Sequence, residues 1–341
     1  MRIGSLPAGP HDAITDVPGV RVGYRTLISG DAVRTGVTVV LPHDGDPYQE
    51  PLFAGSHVLN GNGELTGMAW MAESGLLMSP IAITNTHAVG VVRDALVAHE
   101  VRERGRDRAQ WLLPVVGETW DGVLNDTSLF AVRPEHVWEA LETASDGPIA
   151  QGNVGGGTGM ICHDFKGGTG TASRLAGGYT VGVLLQANHG RRGRLTIGGV
   201  PVGARIGPGR VPLPVRPAGF EPGGGSVIGV VATDAPLLPH QCRRLAQRVA
   251  LGIGRTGGVG ENSSGDLFVC FSTAHRGELA DEPVATVSFL ANPSLTPLFD
   301  AVVEATEQAV VHALVHARTL TGRDGNTAYA IPHDLLSQVV E

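Results

Sequence analysis

The sequence holds a single lysine, Lys166, three cysteines and few aromatic residues, 5% of 341 positions. Arginine supplies all other basic charge, and the net charge of −8 leaves no concentrated basic face to neutralise phosphates, which excludes a nucleic-acid partner. Cys162, Cys242 and Cys270 are odd in number and far apart, with no CxxC. They fit neither a disulfide framework nor a zinc finger, so a reducing, cytoplasmic setting is expected. No run of 18 apolar residues and no apolar stretch near the N-terminus is present, so neither membrane insertion nor secretion is expected. His57, His87, His163 and His189 are scattered without HExxH or another ligand spacing, and no metal or cofactor is assigned. There is no GxSxG elbow. The glycine-dense GNVGGGTG at Gly152–Gly159 fits neither nucleotide-binding pattern, so its glycines are expected to serve close backbone packing.

Glycine is abundant instead, 49 residues beside 22 prolines, spread along the chain in a way that favours a sheet-rich α/β protein with tight turns. One domain over residues 1–341 is expected. Short β-like runs stand at Gly36–Pro42, Pro80–Val92, Trp111–Glu118 and Tyr179–Gly190, with helical periodicity at Asp94–Arg104 and Arg133–Ala144. The stretch 207–225 carries five prolines and six glycines, a composition that supports neither helix nor central strand and predicts an exposed, mobile loop. After it come an apolar strand from Ser226, an amphipathic helix with Leu237, Leu245, Val249 and Leu251 among its apolar positions, a third strand LFVCFSTAH, and a long helix at Thr296–Leu320.

The junction Gly225–Ser226 joins a flexible loop to a rigid strand, which is what a self-cleaving nucleophile requires. Glycines allow the backbone to bend until the Ser226 hydroxyl reaches the Gly225 carbonyl. Once that bond is cut, Ser226 owns an α-amine with an ordinary pKa of about 7.7–8.0, suited to act as base for its own hydroxyl. Read alone, GGGS is equally a plain turn before a strand.

The segments LNGNGELTG (Leu59–Gly67), ITNTHAVGVVRDA (Ile83–Ala95), VVGETWDGVLND (Val115–Asp126), GNVGGGTGM (Gly152–Met160), FKGGTGTASR (Phe165–Arg174), QANHG (Gln186–Gly190), GGGSVIGVVATDAPLLPHQ (Gly223–Gln241) and NSSGDLFVCFSTA (Asn262–Ala274) resemble the S58 peptidases, the L-aminopeptidase/D-esterases and β-peptidyl aminopeptidases. The likeness covers nearly the whole chain. It implies a four-layer αββα sandwich of the N-terminal-nucleophile type, autoproteolysis into an α subunit (Met1–Gly225) and a β subunit (Ser226–Glu341), and assembly of such pairs into homotetramers. The implied activity is release of N-terminal residues from short peptides, amides and esters, D- and β-amino acids included, without a cofactor.

By the same resemblance Ser226 is the nucleophile and Asn188 the amide that lines the oxyanion hole. Ser264 and Asp266 are the groups hydrogen-bonded around the nucleophile and its amine, and Glu118 is the carboxylate that binds the substrate's free amino group. Trp120 stands beside the oxyanion site, where its indole or a backbone N–H replaces a relative's tyrosine hydroxyl. Asp266 is one methylene shorter than the glutamate common in the family. Ser264 as the nucleophile is disfavoured, because it follows Ser263 rather than a long loop. Two other functions stay open: an acyltransferase like the ornithine acetyltransferases, which cleave themselves at threonine, and an unprocessed protein that only binds ligands.

Overall fold

The apolar runs Ser226–Thr233 and Gly265–Ser272 lie side by side in parallel at the centre of a sheet. Both read as continuous rather than alternating because both faces of that sheet are covered. In the computed structural model, which describes residues 2–103, 105, 111–216, 224–276 and 284–340, the main strands are β1 (Arg21–Ser29), β2 (Val33–Leu41), β3 (Leu52–Gly61), β4 (Ile81–Asn85), β5 (Val115–Thr119), β6 (Gly168–Ala176), β7 (Tyr179–Asn188), β8 (Ser226–Thr233) and β9 (Gly265–Ser272). The main helices are α1 (Val89–Glu103), α2 (Pro134–Glu142), α3 (Pro239–Arg255) and α4 (Thr296–Val315).

One sheet has the order β1-β2-β4-β5 and the other β3-β9-β8-β7-β6, with the short strand Leu76–Leu77 on its β3 edge. Each contains one parallel pair, β4 with β5 and β8 with β9, joined by α1 and α3 respectively, since a parallel pair needs a crossover. Helices α1 and α2 cover the outer face of the first sheet, and α3 and α4 that of the second. The layers are therefore α-β-β-α, the architecture that the sequence implied.

Side-chain alternation divides β8 and β9 between two cores. Ile228, Val230, Leu267 and Val269 pack toward the other sheet, against Val40, Ile81, Ile83 and Val115. Val227, Val231, Phe268 and Cys270 pack toward the helices, against Leu245, Val249 and Val310. Ser226, two residues before Ile228, thus faces the space between the sheets. Gly117 makes that facing close, because a Cβ there would sit 3.0 Å from the Ile228 side chain.

The structure departs from the sequence reading at several elements. The apolar run Pro80–Val92 is a strand only to Asn85; its side chain accepts the His87 N–H at 3.0 Å, and the turn this starts leads into α1 at Val89, five residues before the predicted helix. The last long helix stops at Val315 rather than Leu320. Asn153 there bonds both backbone groups of Arg318, at 2.8 and 3.1 Å, which replaces the helical partners. On α3, Leu245 and Val249 are buried but Leu251 is 59% exposed, since it lies on the opposite side of the helix from that pair. The glycine-dense segment does serve close packing. A Cβ at Gly157 would fall 2.3 Å from the Thr169 nitrogen and one at Gly159 2.3 Å from the Arg34 carbonyl oxygen; just past the segment, the fully buried Lys166 donates to the carbonyls of Met160 at 2.7 Å and Gly167 at 2.8 Å.

The first half of the proline-rich loop, residues 207–216, has neither helix nor strand, yet it is tied down. Arg192 donates to the Val211 carbonyl at 3.0 Å and Arg216 meets Asp164 at 2.9 Å. Residues 217–223 of the predicted mobile loop lie outside the described residues.

Candidate active site

Ser226 is the first residue of β8 and is 3% exposed. Its two neighbouring strands bring the other groups. On the antiparallel side it is paired with Asn188, the last residue of β7, and on the parallel side with Gly265, the first residue of β9. The Gly265 N–H donates to the Gly225 carbonyl at 3.2 Å, so a backbone donor already lies on the carbonyl that Ser226 would attack. Gly225 has to be glycine, because a Cβ would fall 1.8 Å from the Asn188 carbonyl oxygen.

The Asn188 amide is oriented at both ends. Its Oδ1 accepts the Ile161 N–H at 2.9 Å and its Nδ2 donates to the Trp120 carbonyl at 2.8 Å. An amide nitrogen carries two N–H groups, so a second donor remains for an oxyanion. Trp120 thus acts on Asn188 through its backbone. Its ring lies over Gly122, where a Cβ would be 2.2 Å from Cζ2, and packs beside Val123, Leu124 and Ile161. That carbonyl accepts, so it orients the Asn188 amide rather than donating to an oxyanion.

Ser264 and Asp266 come together. The Ser264 hydroxyl donates to Asp266 Oδ1 at 2.7 Å and both residues are buried. Burial pushes the Asp266 carboxyl up to about 6, with the Ser264 and Val227 hydrogen bonds opposing and Glu261 adding to the rise. The shorter aspartate therefore reaches Ser264 and the Val227 N–H, one residue beyond Ser226.

Glu118 comes from the facing sheet, on β5. Its Oε1 accepts the Glu64 N–H at 3.0 Å and its Oε2 accepts the Thr86 hydroxyl. It is 3% exposed, and burial raises its pKa above the ordinary value. Gly63 connects it to the sheet that carries Ser226: a Cβ there would lie 3.0 Å from Glu118 Oε1 and 3.2 Å from the Gly265 Cα. A buried carboxylate of this kind gains by meeting a cation.

Some contributing groups escaped the sequence reading. The Gly265 N–H could not be read, since every residue but proline has one. Thr86 and Gly63 lie inside the quoted motifs ITNTHAV and LNGNGELTG, but no spacing rule marks a brace. Asp121, directly after Trp120, is fully buried and pushed up to about 7 by burial. Cys162, His163 and His189 converge although no ligand spacing announced them.

Comparison with known proteins follows this geometry. The family model for peptidase family S58 matches residues 12–328. The chain is 47% identical to the β-peptidyl aminopeptidase BapA of Sphingosinicella microcystinivorans, over 98% of the chain and 88% of the relative. Among solved structures, a β-aminopeptidase of Burkholderia sp. superposes with a TM-score of 0.92 at 49% identity, over 99% of this chain and 97% of the other. The L-aminopeptidase D-Ala-esterase/amidase of Ochrobactrum anthropi, described as a new variant of the N-terminal-nucleophile hydrolase fold, superposes with a TM-score of 0.90 at 41% identity, over 99% of this chain and 95% of the other.

Proposed function

The chain belongs to peptidase family S58 and is a hydrolase of the aminopeptidase type, and on that premise we propose that it activates itself by cutting Gly225–Ser226 and then works through an acyl-enzyme on Ser226. The observation that carries this is the meeting of three strand ends: Ser226 opens β8, Gly265 donates to the carbonyl before it, and Asn188 stands opposite.

In the first step the Ser226 hydroxyl attacks the Gly225 carbonyl carbon, and the amide becomes an ester by an N-to-O shift. Water then releases the Gly225 carboxylate and leaves a free α-amine on Ser226. In turnover this amine takes the hydroxyl proton as Oγ attacks the substrate carbonyl. Asn188 and a backbone N–H hold the oxyanion, a term that is worth a few kcal/mol. Asp266, through its contact with Ser264, favours the ammonium form of the amine. Glu118 holds the substrate's own ammonium, which explains refusal of blocked peptides. After the amine product leaves, water attacks the ester and regenerates Ser226.

The substrates proposed are short peptides and amides with a free N-terminal residue, β-amino acids first, because the relatives named β-peptidyl aminopeptidase and β-aminopeptidase are the more identical ones. The same reading carries cytoplasmic homotetramers of processed pairs. Parallel assays of β-homoalanine, L-alanine and N-acetyl-L-alanine p-nitroanilides test the function. Cleavage of an unblocked compound but not of the acetylated one is expected. Equal cleavage of both would overturn the role of Glu118, and transfer of acetyl from acetylornithine to glutamate would favour the acyltransferase.

A further inference from the structure

Beside the junction lies a group of donors that hydrolysis does not use. Cys162, His163 and His189 are all buried, and one ligand atom from each lies within 4.8 Å of the other two. A tight hairpin creates the group: Ile161–Cys162 pairs with Phe165–Lys166 across His163 and Asp164, both in left-handed backbone, at φ 50° and 58°. The His163 N–H then binds the His189 carbonyl at 2.7 Å, which brings the hairpin to the end of β7.

The hydrogen bonding leaves lone pairs unused. His163 Nδ1 lies 3.2 Å from the Arg191 carbonyl, an acceptor, so the proton sits on Nδ1 and Nε2 carries a bare lone pair. His163 Nε2 and His189 Nε2 are both out of contact with water and without a hydrogen-bond partner among the described residues. Two unpaired polar atoms in one dry pocket are rare in folded proteins, where buried polar groups find partners. The Cys162 Sγ is 4.0 Å from His189 Nδ1. Burial keeps both rings neutral, the form that binds metals, with His163 pushed down to about 4. The neighbouring carboxylate of Asp164 is already committed, as it accepts the Arg192 N–H at 2.9 Å and the Arg216 guanidinium at 2.9 Å.

We propose that Cys162, His163 and His189 form a binding site for a thiophilic divalent cation, zinc(II) in particular, held by one thiolate and two imidazoles. Sulfur and imidazole nitrogen without carboxylate oxygen is the donor set that favours zinc over magnesium or calcium. The Arg191 carbonyl on His163 Nδ1 is the outer partner that metal-bound histidines usually have. Burial pushes the Cys162 thiol up to about 12, with Lys166 opposing only weakly, so it is the cation that displaces the thiol proton, which leaves to solvent. Because the pocket is closed, the ion enters as the chain folds. It would fix the chain just after Asn188, and the His189 Cα is only 3.4 Å from where a Cβ of Gly225 would be.

Cobalt(II) is the probe. The full chain, expressed in cobalt-supplemented, zinc-depleted medium, should purify with about one cobalt per chain and show thiolate-to-cobalt charge-transfer absorption. Cys162→Ser should lose that absorption and retain at least about tenfold less cobalt, the scale on which even outer-shell changes act, while Cys242→Ser and Cys270→Ser keep both. His163→Asn, which tolerates the left-handed backbone, should also lose the metal and carries the test if the serine variant does not fold. Cobalt-free folded protein, or absorption that survives Cys162→Ser or vanishes with Cys242→Ser, would overturn the site.

Discussion

Each sheet contains one strand-helix-strand unit, and the two put their working residues at opposite ends. In the β4-α1-β5 unit, Glu118 and Thr86 stand at or just past the carboxyl ends of the strands, where open α/β sheets ordinarily bind ligands. In the β8-α3-β9 unit, Ser226, Gly265 and Asp266 stand at the amino ends. The start of a strand suits the residue proposed to become the first of its chain, because both neighbouring strands hold it. In the proposed mechanism the first unit binds and the second carries the chemistry, and each role can be broken separately.

The largest effect is expected from Ser226→Ala, which should remain uncut and lose all measurable hydrolysis, whereas Ser264→Ala should retain some cleavage; electrophoresis after prolonged incubation reads both. Next comes Asn188→Ala. Loss of one oxyanion donor should lower kcat by about 10²–10³-fold with a smaller change in KM. Glu118→Gln keeps the acceptor for the Glu64 N–H but not the charge. It should cost about 2 kcal/mol in binding of unblocked substrates, roughly 30-fold in kcat/KM, and reduce discrimination against acetylated ones.

Two smaller effects depend on pH. An ionised Asp266 stabilises the ammonium of Ser226, so Asp266→Asn should move the acid limb of the kcat/KM profile to lower pH by about one unit. Asp121 tests stability instead. Its folded pKa, about 7, is raised above the ordinary carboxylate value by burial. The folded state therefore holds the proton more tightly, and stability from this group is fully present below the unfolded pKa and lost as pH rises through about 7. The stability of Asp121→Asn relative to the parent should then rise by about 2–3 kcal/mol between pH 5 and pH 8.5, near two pKa units of differential protonation, as measured by urea unfolding.

The chemistry-bearing strands were legible because burial on both faces writes a continuous apolar run, as in SVIGVVAT. Composition also marked the loop before Ser226. Roles for Asn188 and Glu118 came from the resemblance, since an asparagine before a glycine and a glutamate at a strand end are ordinary by themselves. What the sequence could not show depends on main-chain geometry: the Gly265 N–H on the Gly225 carbonyl, the Trp120 carbonyl that orients Asn188, and the left-handed pair at His163 and Asp164 that folds Cys162 toward His189. The helix start at Val89 was missed because apolar residues continue through the turn that Asn85 begins.

The claim that the second unit's chemistry needs a chain that starts at Ser226 is tested most directly by intact mass and amino-terminal sequencing of the purified protein. Two fragments are expected, the smaller beginning Ser-Val-Ile-Gly, with the Ser226→Ala chain whole. A single uncut chain that nevertheless hydrolyses an unblocked substrate, or a cut at any other bond, would contradict it.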